Sequence, residues 1–200
     1  LKGRKFDVSS ALNFLAKNQN SDGSFASALL TDWAAIAFGA TDNATCNDLC
    51  NAASQNLRLH LFDAKLELSS VTDYERHAMA LMALGINPYS ETRIDYITPI
   101  AAAFDGVQVG DASLVNDDIF ALFPLIHAGY AADNNMLKTI VSFILFKQNV
   151  NGSWEGSTDL TAAAIQALQL FPSHEGVPEA VEKAKEFLHR NQDNSGIFGS

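Results

Sequence analysis

The stretch 148-QNVNGSWEGSTDLTAAAIQAL-168 decides how this chain is read. It opens on a glutamine and polar residues, turns at Gly152-Ser153-Trp154, passes Thr158-Asp159 and enters an Ala-rich apolar run. A shorter version stands at 19-QNSDGSFASALLTDWAAIAFGA-40, and 192-QDNSGIF-198 begins a third. Each part has a physical job. The glycine permits a tight reversal, the aromatic packs over it, and the Thr-Asp pair stands where a helix needs an N-terminal cap. Because the phrase returns, the repeat has to be read before any single element.

Working outward, helical periodicity predicts nine segments, at 7–19, 31–40, 46–62, 72–85, 92–104, 115–129, 134–148, 158–171 and 177–191. They alternate in character. Segments 7–19, 134–148 and 177–191 are amphipathic, whereas 31–40, 72–85, 115–129 and 158–171 are Ala, Leu, Ile, Phe and Met after their first turn. Helices apolar on most sides belong between other layers, so outer and inner helices alternate. The inner helices are expected to start at Asp32, Asp73, Asp117 and Asp159, in steps of 41, 44 and 42 residues. They are expected to end at Gly39, Gly85 and Gly129, where glycine adopts the left-handed cap conformation. A two-helix period of about 43 residues is an αα-hairpin repeat, whose units must stack to bury their apolar faces. A HEAT-type solenoid shares the period but carries charge on its inner helices. The Ala-rich inner layer here (34, 35, 37; 162, 163, 164) suits a ring crowded around an axis instead.

Composition narrows the function classes. The 200 residues hold 13 Lys+Arg against 23 Asp+Glu, a net charge of −10, so phosphate backbones should be repelled and nucleic acid is no expected partner. No apolar run reaches membrane-spanning length; 114–128 is broken by Asn116, Asp117, Asp118 and Pro124. Cys46 and Cys50, four apart in an expected helix, lack a nearby His or second Cys pair for zinc and are read as small packing residues, with a strained or intermolecular disulfide as the lesser reading. A chain opening on Leu1 without a signal segment reads as a piece of something longer.

The Gln-x3–5-Gly-x-Trp/Phe phrase after an amphipathic helix resembles the repeat of the squalene–hopene cyclase and protein prenyltransferase superfamily. The resemblance covers nearly the whole chain, closest at 134–171 and faintest at 46–110. It implies one all-α domain over residues 1–200, an α/α toroid of alternating inner and outer helices. About nine helices of a twelve-helix ring are present, so a second copy or a further C-terminal segment is expected to complete it. The same toroid also resembles carriers and bacterial surface proteins, so architecture alone does not assign an activity.

Two function classes follow. One is a non-enzymatic binding or structural module of a secreted or cell-surface bacterial protein. It would hold a small apolar or amphipathic ligand, or a protein partner, in the cavity or at its rim. Its expected binding residues are Asp32, Trp33, Asp73, Tyr74, Arg76, His77, Phe120 and Asp159, the aspartates doubling as helix caps that gather at one mouth of the ring. The other is a class II terpene-cyclase-like enzyme. The resemblance implies that Asp117, assisted by Asp118 in 114-LVNDD-118, protonates an isoprenoid, crowding keeping the acid neutral. The first Asp of the cyclase motif is replaced by Val115, which counts against it. The Asp-x-Cys of zinc-dependent prenyltransferases and the Gly-Cys-Gly-Glu-Gln of thioester domains are absent, so no metal or cofactor is expected. His77 and His127 lie in inner helices, where a lone histidine is more often packing than a ligand. Asn43-Ala44-Thr45 and Asn151-Gly152-Ser153 match the glycosylation pattern, the second as part of the repeat phrase.

Overall fold

The computed structural model describes residues 7–41, 45–63, 68–193, 196 and 198. Among these it forms nine helices: α1 (Val8–Lys17), α2 (Ala28–Gly39), α3 (Asp48–Asp63), α4 (Val71–Ala83), α5 (Thr98–Ala102), α6 (Asn116–His127), α7 (Asn135–Phe146), α8 (Thr158–Leu168) and α9 (Val177–Asn191). Extended backbone pairs only as isolated bridges among the described residues. The chain is all-α. No helix among them is long and apolar enough to cross a membrane. Asn43 and Ala44 lie outside the described residues.

The helices fall into two compact units, one ending at Pro99 and the other beginning at Ile100. In the first, α2 packs against α3 and α4, and α1 against α3. Leu12, Ala35, Phe38, Ala53, Leu57, Leu61, Ala78 and Leu81 make its core. In the second, α8 packs against α6 and α9, and α6 against α7. There Ile119, Leu122, Leu125, Leu137, Ile140, Ile144, Trp154, Leu168 and Ala184 are buried.

The repeat phrase builds the same joint once in each unit. The Gln19 amide donates to the Gly23 and Ala53 carbonyls at 3.0 and 2.9 Å, and Gln148 donates to Gly152 and Ala180 at 3.1 and 2.8 Å. Each glutamine thus ties its turn to the following outer helix. The glycines, at φ +86 and +91, press that turn onto helix backbone: a Cβ on Gly23 would overlap the Asn56 carbonyl, and one on Gly152 the Lys183 carbonyl. The N–H of Phe25 is taken by the Thr31 hydroxyl, which donates to the Ser27 carbonyl. Trp154, Thr161 and Ser157 repeat that relay.

This joint corrects the expected caps. Ser27, Ser70 and Ser157 are the N-caps of α2, α4 and α8, each hydroxyl accepting an N–H three residues on. Thr31 corresponds to Thr161, so Asp32 lies in the second turn of α2 while Asp159 lies in the first of α8. Both threonines stand four residues past their serine caps; the second phrase differs only before its cap, where Glu155, at φ 53, and Gly156 replace the single Ala26. Of the four aspartates expected at these helix starts, Asp73 alone takes part in a cap, as the reciprocal partner of Ser70. Helix α6 starts after Val115 with no side-chain cap, so neither Asn116 nor Asp117 serves as one.

Three other expectations change. Gly39 is helical, and a Cβ there would overlap the Ala83 carbonyl; it lets α2 and α4 approach at backbone distance instead of turning the chain. Gly85 and Gly129 do adopt φ +69 and +98 after their helices. The helix expected at 92–104 shrinks to Thr98–Ala102 because Asp95 draws the Ile97 and Thr98 N–H groups into a turn just before Pro99. Finally, Cys46 and Cys50 are disulfide-bonded, with Cα atoms 5.3 Å apart. Cys46 precedes α3, and the Asn47 side chain accepts the Cys50 N–H, so the entering chain is folded back to bring the sulfurs together.

Candidate functional site

A set of linked charged side chains lies between α2 and α4. Ser27 starts α2 early enough to carry Asp32 into the second turn, where it is 1% exposed. Its carboxylate accepts from Arg76 Nε at 3.0 Å and from His77 Nδ1 at 2.9 Å. Arg76 spans two carboxylates, giving its Nη2 to Asp73 at 2.9 Å. Facing a carboxylate, Nδ1 of His77 carries the proton; Nε2 is buried with no hydrogen-bond partner. The imidazole packs on the Tyr96 ring at 4.7 Å, and Tyr74 lies 6.3 Å from Tyr96.

The surroundings tune these groups. Burial pulls the Asp73 carboxyl up, but hydrogen bonds from Arg76 and Ser70 outweigh it and hold the group down at about 2. Burial, with Tyr74 and Asp32 nearby, pushes the Tyr96 phenol up. Glu75 is fully buried at the α4 position that matches Asp32 on α2, five residues after the serine cap. A buried arginine–aspartate–histidine set of this kind joins two helices strongly, because removing one partner leaves the others unpaired away from water.

A cavity of about 180 Å3 lies beside this network, lined by Ser24, Phe25, Ser27, Ala28, Thr31, Asp32, His60 and Leu61. Its walls mix an aromatic ring and aliphatic carbon with hydroxyls, an imidazole and a carboxylate edge. His60 Nδ1 lies 3.0 Å from the Asp22 carbonyl, which makes it the donor and leaves Nε2 as an acceptor in the neutral ring. Its volume is comparable to the ~150 Å3 of an enclosed apolar cavity that accepts benzene.

The second set is in the other unit, where α6 meets the 104–111 loop. Asp118 is fully buried and accepts the Val109 N–H at 2.8 Å; its neighbour Asp117, 5% exposed, accepts the Asp111 N–H at 3.2 Å and the Asn116 amide at 3.1 Å. Burial first, then the charges of Asp117 and Asp105, push the Asp118 carboxyl up to about 7 against the pull of the Val109 N–H. Within this motif the carboxyl raised by its surroundings is thus that of Asp118, expected from the sequence as the partner of Asp117.

The expected binding residues are divided between the two units, Phe120 and Asp159 lying in the second. Asp32, Asp73, Arg76 and His77 come together, with Tyr74 half-buried at their edge. Trp33 is 43% exposed on α2, and Asp159 is exposed on α8. Phe120, half-buried, packs 6.4 Å from Phe123 within the second unit. His127 is exposed. Sequence reading missed Ser24, Ser27, Thr31, His60, Tyr96 and Gln108. The serines and threonine were findable, since Ser and Thr recur around each Gly-x-aromatic turn; Tyr96 and His60 sit outside any repeat phrase. Among the described residues no three His, Cys, Asp or Glu side chains converge as a metal site. No protein-family model, no curated protein and no solved structure matches this chain.

Proposed function

We propose that the chain is a non-enzymatic binding module, built on helical hairpins of the terpene-cyclase-like toroid type and belonging to a larger secreted or cell-surface protein. The observation that carries it is the cavity beside Asp32. Its apolar wall of Phe25, Ala28 and Leu61 faces polar groups of Ser24, Ser27 and His60, a combination that suits a small amphipathic ligand about the size of one ring. The polar network next to it supports binding over catalysis, because Asp32 holds Arg76 and His77 in place with both carboxylate oxygens. The Cys46–Cys50 bond supports an oxidising compartment. A fragment screen by protein-observed amide NMR tests the reading. Small ring compounds bearing a hydroxyl or amine should shift Ser24–Asp32 and His60–Leu61, and Ala28→Phe, which fills the cavity, should abolish those shifts. Binding confined to other residues would refute it.

One observation favours the cyclase-like reading: a buried carboxyl near neutrality at Asp118. Against it, Asp117 and Asp118 both hold backbone of the 104–111 loop. Incubation with squalene or geranylgeranyl diphosphate decides between the two. Cyclic product that disappears in Asp118→Asn would establish the enzyme; unchanged substrate supports the binding module.

A further inference from the structure

The 104–111 loop is a closed structure seated on α6. Phe104 bridges Val109, the Asp105 N–H donates to the Gln108 carbonyl at 3.0 Å, and the Gly110 N–H to Ala103 at 3.2 Å. The Asp105 carboxylate gathers the Val107 and Gln108 N–H groups and the Gln108 amide. Two carboxylates of α6 hold the loop down by its backbone, Asp118 at Val109 and Asp117 at Asp111.

The polar atoms here are unbalanced. Asp118 Oδ2, Gln108 Oε1 and Asn116 Oδ1 are buried without a hydrogen-bond partner, and all three are acceptors. Buried acceptors with no donor are costly, and a buried unpaired charge costs more. The charges bearing on Asp118 are Asp117 on its own helix and Asp105 on the loop, both negative. Nearby acids are Asp111, at the loop's end, and Glu155, which accepts the Val115 N–H. The neighbouring helices bring little compensation. Lys138 is the only titratable residue of α7, Lys147 after it gives its ammonium to the Ala112 carbonyl at 3.0 Å, and α8 carries only the exposed Asp159. A proton on Oδ2 removes the buried charge.

We propose that Asp118 is a proton-operated latch: the neutral acid seats the 104–111 loop on α6, and ionisation releases it. This does not rest on the binding reading, since the cavity lies in the other unit. Burial alone favours the neutral acid, and Asp117 and Asp105 reinforce it. Opening the loop admits water to the carboxylate, so the open form prefers the ionised acid and pH shifts the balance between forms.

Amide hydrogen exchange of Val109 and Asp111 from pH 6 to pH 8, corrected for the intrinsic rate, tests the latch on the intact chain. With a closed-form midpoint of about 7 and an open form near the ordinary 3.8, protection should fall about tenfold over that range. Asp118→Asn, which keeps the carbonyl acceptor for Val109 and carries a permanent donor, should show no such fall. Carbon-13 carboxyl NMR of the wild type gives a second reading that needs no variant. An Asp118 midpoint near 7 supports the latch. A midpoint below 5, or protection that does not change with pH, overturns it, as does an equal fall in Asp118→Asn.

Discussion

At the scale of single residues, the first unit rests on Asp32. It binds two cationic-capable side chains from α4 while being shut away from water. Asp32→Ala should destabilise the protein by about 3–5 kcal/mol in urea unfolding, the range for stripping one partner from a buried ionic set. Asp32→Asn should cost less, since it keeps an acceptor for His77. Two aspartates give opposite pH signatures. Asp118, raised to about 7, contributes stability that is complete below pH 3.8 and lost as pH rises through 7. Asp73, lowered to about 2, contributes stability present above pH 3.8 and lost as pH falls through 2. Between pH 5 and pH 7.5 the Asp118 effect acts alone of the two. Stability should therefore drop on the order of 2–3 kcal/mol over that span, and the drop should vanish in Asp118→Asn. None of this pairing is visible in sequence, because Asp32 and His77 stand 45 positions apart and meet only once α2 and α4 pack.

At the scale of elements, the hairpin joint was the most legible feature and also the source of the main misalignment. Apolar periodicity placed most helices within a few residues of their ends, since burial of one face dominates where a helix forms. The starts were misread because Thr-Asp dipeptides recur like the serine caps but stand at different depths. Thr31 and Thr161 both stand four residues past their serine caps and take the aromatic N–H, whereas Thr158 stands only one past its cap. Glycine roles split in the same way, with Gly39 serving close helix approach and Gly85 a turn. This predicts a contrast between two neighbouring positions. Gly152→Ala combines left-handed strain with overlap on the Lys183 carbonyl and should cost about 3 kcal/mol or more. Gly156→Ala, also at positive φ but in open space, should cost only about 1–2 kcal/mol. Equal losses in thermal unfolding would contradict the packing role of the joint. The disulfide closes a short loop into the first turn of α3, and its removal by Cys46→Ala/Cys50→Ala should cost about 2 kcal/mol on the chain-entropy account. A variant as stable as the wild type would show that the bond contributes nothing.

At the scale of the whole molecule, the two units carry the same joint and put different chemistry beside it. The first places a buried Asp32–Arg76–His77 set next to a small amphipathic cavity. The second places two backbone-holding carboxylates under a loop, one of them raised by burial to about 7. Repetition supplies scaffold, and the specific groups occur where the repeats diverge: Asp32 corresponds to Ala162 in the second unit, counting from the shared threonines. The net charge of −10 adds a field that favours neutral or cationic guests over anionic ones. The central claim is that the chain binds a small ligand beside Asp32 and leaves it unchanged. The most direct test follows an amide NMR titration of the intact protein with a ring-sized amine or alcohol, analysing the ligand afterwards. Saturable shifts at Ser24–Asp32 and His60–Leu61 are expected, with the ligand recovered intact. Conversion of the ligand, or saturation with no shift at those residues, would contradict it.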